Sequence, residues 1–377
     1  MACNDLSPTT SRFSALPMTL MRMLSSLLAL CLGMGIAGSV GAQQVNPGGA
    51  APPAPTLRVV GGLAGVSQFT QLEEPFWSRD LARMSGGKYT ASIVPFDRAG
   101  VPGADMLRLL HLGVVPFGTV LMSSLNARFP QYVAPDLAGL NPDMAALRKH
   151  VAAFRPHLER ALREEQGIEA LALYIYPAQM LFCKQPISSL SDLKGWRVRV
   201  SSVSQADFLQ ALGATPVHTE FAQIVSRFET GSIDCAITGT LSGNTLGLQK
   251  FTTHLYALPL NWGMAIFGAN RAAWEALPSE LRELLRRELP KLESAIWAES
   301  ERDTTQGLLC NGGQPGCTMG KPGEMRIVPA TAADKQRSRD IFAKAVLPHW
   351  LERCGPRCEE VWSTTIGPLY GSAVRFP

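Results

Sequence analysis

Arg197-Val198-Arg199-Val200 sets two guanidinium groups into a short β-rich run, Trp196 to Val200. A guanidinium at the end of a strand offers a planar fork that pairs with a carboxylate through two parallel charge-assisted hydrogen bonds. Arg199 stands at that end; Arg197 is read as solvent-facing. A second, nearly unbroken apolar run, Ile233 to Thr238, ends on a hydroxyl that can donate or accept. Catalytic patterns are scarce by comparison. The histidines (111, 150, 157, 218, 254 and 349) are scattered. There is no H-E-x-x-H, no G-x-S-x-G, no Walker A sequence and no G-x-G-x-x-G after a strand. The residue types therefore favour binding over turnover, with no catalytic residue and no cofactor expected.

Cysteine spacing carries the next signal. Cys310, Cys317, Cys354 and Cys358 cluster late, amid glycine and proline. Cys310–Cys317 and Cys354–Cys358 are the favoured local bridges. A zinc site is the rival, since C-x6-C and C-x3-C can supply four thiolates. Export to an oxidising compartment favours disulfides, so no metal is expected. Cys183 and Cys235 lie in strand-like runs; they are read as free buried thiols, with a pair across adjacent strands as the alternative.

The elements around Arg199 follow from periodicity. Ser201, Ser202 and Ser204 offer N-cap oxygens to a helix with Phe208, Leu209 and Leu212 inward, stopped by Gly213. An extended step at 216–218 leads to a second helix near Glu220, whose stripe is Phe221, Ile224, Val225 and Phe228. Strand, helix, strand-like step, helix, strand is a small α/β layer, in which ligands settle at the carboxyl ends of strands. Upstream, strands are expected at 57–61, 89–94, 114–122 and 168–176, with helices around 77–84 and 103–113. A long helix runs from a cap at Asn141 or Asp143 to Gln166, bent at Pro156. The Gly-rich loop 62–68 reads as a tight turn at a cleft edge. Gln179 to Cys183 continues the 168–176 strand into a second lobe, and the chain returns near 261–267. A helix capped by Ser279 follows, running to about Gly307. The tail carries helices at 335–350 and 358–362.

The run D-L-K-G-x-R-V-R-V, then A-L-G-A-T-P-V, F-A-Q-I and T-G-S-I-D-C-A-I-T resembles the substrate-binding proteins of tripartite ATP-independent periplasmic (TRAP) transporters. R-M-S-G-G-K-Y with V-P-F and L-x-x-G-V looks like the first lobe of that family. The resemblance implies an α/β, two-lobed, periplasmic-binding-protein-like fold with a hinge and a long helix spanning both lobes. It implies that Arg199 pairs with the ligand's carboxylate. Thr238 falls where many members carry an asparagine that contacts the ligand, and Phe221 matches an aromatic that packs on it. Gln179 falls where some members have a second arginine, so one carboxylate with polar or apolar bulk suits this cleft better than two. Ser202, and from the first lobe Gln68 and Ser123, join the ligand-binding set; Trp262 either walls the ligand or packs in the hinge. The partners implied are a small organic acid and TRAP-type integral membrane permease subunits, with the receptor a monomer. A ligand-sensing subunit of a signalling system and a periplasmic enzyme acting on an acid are the alternatives.

The 377 residues, 46% of them hydrophobic, suit two lobes and exclude a disordered chain. A formal net charge of +4 without basic runs excludes a nucleic-acid partner. Residues 1–42, with Arg22 before an apolar run and Val40-Gly41-Ala42 at its end, read as a secretory signal peptide, which places the mature protein in the periplasm. Residues 43–56 read as a flexible leader. Lobe I is expected to take 57–176 and 264–303, lobe II 177–263 and 304–377.

Overall fold

The computed structural model describes residues 56–125 and 128–370. The signal peptide and all of the leader but Thr56 lie outside them. Two sheets carry the fold. The first has the order β2 (Thr90–Pro95), β1 (Thr56–Gly61), β3 (Phe117–Leu121), β10 (Met264–Asn270), β4 (Ile168–Ile175). The second has β11 (Arg326–Pro329), β9 (His254–Asn261), β5 (Gln179–Cys183), β8 (Cys235–Gly239), β6 (Arg197–Val200), β7 (Thr215–His218). Each mixes parallel ladders, as between β1 and its two neighbours, with antiparallel ones, as between β5 and β8. Central strands such as β8 and β10 are buried along their length, which is why their sequences are runs rather than alternations.

Two chain segments cross between the sheets side by side. One is Tyr176-Pro177-Ala178, between β4 and β5; the other is Trp262-Gly263, between β9 and β10. Met264 pairs with Ile175 at one end and Gln179 with Asn261 at the other, while Tyr176 N–H donates to Gly263 O at 3.0 Å. Gly263 has φ +67°, and a Cβ there would collide with the Gln179 amide. Only glycine satisfies both conditions.

The third connection is the helix Ser279–Asn311, 33 residues and about 50 Å long. It packs on β4 through Trp297 Nε1–H to Leu173 O and Ser300 Oγ–H to Ile175 O, both 2.8 Å. Further along it packs on the helix Thr240–Thr245 that follows β8, with Asn311 Nδ2–H to Thr240 O at 2.9 Å. This is the expected two-lobed α/β fold with a helix spanning both lobes. The helix outruns its expected end at Gly307, because that glycine does not stop it. A Cβ at Gly307 would strike the backbone of Thr240 and Leu241, so the residue allows close helix packing. Ser279 is the first helical residue and caps nothing.

Other local expectations were corrected in the same way. Asp143, not Asn141, caps the helix Met144–Gln166, accepting from Ala146 N–H at 2.8 Å. Asn141 instead bridges Pro135 O and His150 Nδ1. Residues 67–84 are helical throughout, as expected around 77–84, but the winding widens to π over Gln68–Glu73 and Phe76–Asp80. All six cysteines of the described residues are paired, Cys310 with Cys317 and Cys354 with Cys358. Cys183 and Cys235 are not free thiols. They face each other in register on β5 and β8, Cα atoms 4.1 Å apart, and are bonded. With those sulfurs committed, the zinc alternative falls.

Candidate functional site

A cavity of about 550 Å³ lies between the two sheets. Phe96, Asp97, Leu121 and Ser123 reach it from beside the first sheet. Arg199, Thr219, Glu220, Phe221, Thr238 and Ser242 reach it from the second, and Tyr176, Gln179 and Gly263 from the crossings.

Arg197 and Arg199 are two residues apart and so share a face of β6, yet their environments differ. Arg197 lies at the exposed end of the strand, where Asp234 claims it: Nε–H to Oδ2 at 3.0 Å and Nη2–H to Oδ1 at 2.7 Å. That guanidinium holds the Asp234 carboxyl below its usual range. Arg199 is only 3% exposed. Its Nε–H donates to Thr219 O at 2.9 Å and its Nη1–H to Ile237 O at 2.6 Å. Among the described residues no carboxylate forms an ion pair with it. Burial lowers its pKa to about 10, partly opposed by nearby Glu220, so it remains a cation at neutral pH. A guanidinium has five N–H donors. Two are spent on carbonyls that fix its plane, the others have no hydrogen-bond partner among the described residues, and the residue lines the cavity. Fixed orientation with donors in reserve is the condition for recognising an anion without reorganisation.

Of the ligand-binding candidates, the structure brings Arg199, Gln179, Thr238, Phe221 and Ser123 to this cavity. It does not bring Ser202, Trp262 or Gln68. Ser202 is the N-cap of the helix Val203–Gln210, its Oγ accepting from Gln205 N–H at 3.3 Å; its neighbour Ser201 lines the cavity instead. Trp262 packs in the hinge, its indole N–H on Asn141 O. Gln68 turns to the long helix, donating to Ser300 Oγ at 3.0 Å and Asp303 Oδ2 at 2.9 Å.

Residues that the sequence reading missed complete the site. Gln205 takes Ser201 N–H on its Oε1 at 2.8 Å. Its Nε2–H groups reach Gln179 Oε1 at 2.7 Å and Asn261 Oδ1 at 2.8 Å. Asn261 in turn donates to Asp136 Oδ2 at 3.1 Å. The Asp136 carboxylate also accepts Trp262 N–H at 2.9 Å and Met264 N–H at 3.2 Å. An unbroken polar chain thus joins the end of β6 to the crossing strand. Burial raises Asp136 to about 6, with the Trp262, Asn261 and Met264 donors pulling the other way. On the first sheet, Glu73 plays a similar part beneath the 62–68 turn. It accepts Gly62 N–H at 2.5 Å, and burial raises it to about 7. Asp97, His218 and Glu220 also line the cavity. His218 ends β7 and Glu220 comes two residues later, so the strand-end rule that selected Arg199 could have selected them. Nothing local marks Asp136 or Gln205; their roles exist only in three dimensions.

Comparison with known proteins agrees with this architecture. Residues 65–345 match the family described as bacterial extracellular solute-binding protein, family 7. DctP7, a Bordetella pertussis extracytoplasmic solute receptor binding pyroglutamic acid, superposes with a TM-score of 0.72 at 22% identity, over 82% of this chain and 99% of that one. A TRAP periplasmic solute-binding protein from Desulfovibrio salexigens with bound orotic acid gives 0.72 at 18% identity, over 84% and 97%. One from Rhodoferax ferrireducens with bound malonate gives 0.71 at 17% identity, over 83% and 99%.

Proposed function

The chain belongs to family 7 of the bacterial extracellular solute-binding proteins, and from that premise we propose that it captures a small organic acid between its lobes and hands it to a TRAP-type membrane permease. The observation that carries the reading is Arg199: buried, oriented by two backbone carbonyls, in no ion pair among the described residues, and bordering the interlobe cavity. A buried cation without a counter-ion is costly; a ligand carboxylate relieves that cost. The structural neighbours named above hold pyroglutamic acid, orotic acid and malonate, all acids, which supports the same chemistry here.

Gln179, Thr238, Phe221 and Ser123 supply the remaining contacts in this reading. Hydroxyl and amide groups orient the acid, and the Phe221 ring covers its apolar part. Ligand-driven closure needs contacts that are better in the closed state. The paired crossings around Gly263 give the lobes their pivot, and the polar chain from Ser201 to Asp136 ties the binding strand to it. We read the protein as an exported, monomeric receptor without a chemical step. No helix among the described residues is long and apolar enough to cross a membrane.

Native mass spectrometry of the purified protein identifies a co-purifying acid, and calorimetry with that acid tests the assignment. Arg199→Ala is expected to weaken binding by about 2–5 kcal/mol, the effect of removing one partner from a buried charge pair. Unchanged affinity would remove Arg199 from the site. Ligand recovered intact after long incubation is the result expected of a receptor; a new product would make the protein an enzyme.

A further inference from the structure

The cavity's charges are out of balance. Among the described residues Arg199 is the one arginine or lysine that lines it, whereas Asp97 and Glu220 both do. Glu220 sits near enough to Arg199 to act on it electrostatically. Asp97 lies across the cleft, in the turn after β2, where Ala64 N–H fixes its Oδ1 at 2.8 Å. Its Oδ2 has no hydrogen-bond partner, and Asp97 forms no ion pair, among the described residues. The Tyr176 phenol lies within its electrostatic reach on the hinge side of the cavity. An exposed carboxylate, fixed through one oxygen, thus lines the same cavity as the buried guanidinium, from the opposite lobe.

We propose that the ligand is a monocarboxylate that also bears a protonated amine or another N–H donor, with its carboxylate on Arg199 and its donor end on Asp97. This rests on the assignment of the carboxylate to Arg199. A second carboxylate at the far end of the ligand would meet Asp97 with no cation to offset it, so the cleft is built against dicarboxylates. An apolar end would leave Asp97 without a partner as closure excludes water. A donor satisfies it, and because the two anchors stand on different lobes, only the closed protein engages both ends. The ligand's two polar groups then supply the differential affinity that closure requires.

The test is a calorimetric comparison of three five-carbon acids differing only at the far end: valerate, δ-aminovalerate and glutarate. The native protein is expected to bind δ-aminovalerate about tenfold or more tighter than valerate, with glutarate weakest. Asp97→Asn is expected to collapse the ratio between δ-aminovalerate and valerate to within about twofold and to narrow the deficit of glutarate. Glutarate binding as tightly as δ-aminovalerate, or an amine advantage that survives in Asp97→Asn, overturns the proposal. Arg199→Ala separates the two readings. If it weakens all three acids while the amine confers nothing, the Asp97 proposal alone falls. If it leaves all three unchanged, the carboxylate assignment falls with it.

Discussion

Asp136 gives the hinge its most demanding test. Its carboxylate accepts three hydrogen bonds whose donors are all in or beside the returning crossing: Trp262 N–H on Oδ1, Asn261 Nδ2–H and Met264 N–H on Oδ2. The group is 8% exposed, and so water cannot replace it cheaply. Asp136→Ala strands three buried donors at about 1–3 kcal/mol each; because they are coupled, about 3–6 kcal/mol in total is expected. Asp136→Asn is the sharper variant, since it keeps shape and volume. Whichever way the amide turns, an NH2 group faces at least one former donor. The smallest loss is the Trp262 bond, about 1–3 kcal/mol. The assay is hydrogen exchange at pH 7.5, above the folded value of about 6 for Asp136, so that the native group is ionised. In Asp136→Asn the Trp262 or Met264 amide is expected to exchange roughly tenfold to a hundredfold faster, while amides of β8 stay protected. Equal protection of both amides in native and variant protein would show that the carboxylate does not hold the crossing, and the hinge argument would fail with it.

Three further outcomes follow from the same geometry. Gly263→Ala forces a positive φ on a side chain that meets the Gln179 amide; it is expected to cost about 1–3 kcal/mol in thermal stability and to weaken ligand binding as well, a pairing that calorimetry and melting curves read together. Cys183→Ser with Cys235→Ser removes the bridge between β5 and β8 and is expected to lower stability by about 2–5 kcal/mol in denaturant titration; an unmodified protein showing reactive thiols at these positions would contradict the pairing. Glu73, raised by burial from 4.5 to about 7, binds its proton more tightly folded than unfolded. Its contribution is therefore fully present below about pH 4.5 and is lost as pH rises through 7, a change of roughly 3 kcal/mol. Glu73→Gln should flatten that part of the pH–stability curve; an identical slope in the variant would mean that Glu73 does not cause it.

Legibility in the sequence tracked how local the cause was. β6 and the helix behind Ser202 were readable because alternation, a cap and a terminating glycine all lie in the one short stretch from Arg197 to Gly213. Arg199 was readable because it stands at a strand end within a run that resembles the family's R-V motif, and its distinction from Arg197 depends on Asp234, which pairs with the outer residue. Gly307 was misread as a stop because its reason is contact with Thr240 and Leu241, far away in the chain. Ser202 shares the polarity of its neighbour Ser201, and one residue along the cap decides which side chain faces the cavity; Gln68 is drawn to Ser300 and Asp303 of the long helix, which its local sequence does not reveal. Cys183 and Cys235 could not be paired from spacing, since their approach is set by the register of two antiparallel strands.

The site and the pivot are parts of one construction rather than neighbours by accident. β6 delivers Arg199 to the cavity, and the next residues hand Ser201 N–H to Gln205. Gln205 also binds Gln179 at one crossing and Asn261 at the other, and Asn261 leads to Asp136. Each link is a buried or half-buried hydrogen bond, so none is surrendered to water without cost. A ligand that pulls on Arg199 therefore loads the strand end whose polar contacts terminate on both hinge segments. Gln179 occupies the decisive place: it lines the cavity, starts β5, accepts from Gln205, and packs where Gly263 leaves room for it. A positively charged side chain at 179 would add a second cation for the ligand but would lose the acceptor that Gln205 uses. In this chain the residue at that position lines the cavity and is also tied to the hinge through Gln205, so a cation there would cost that link.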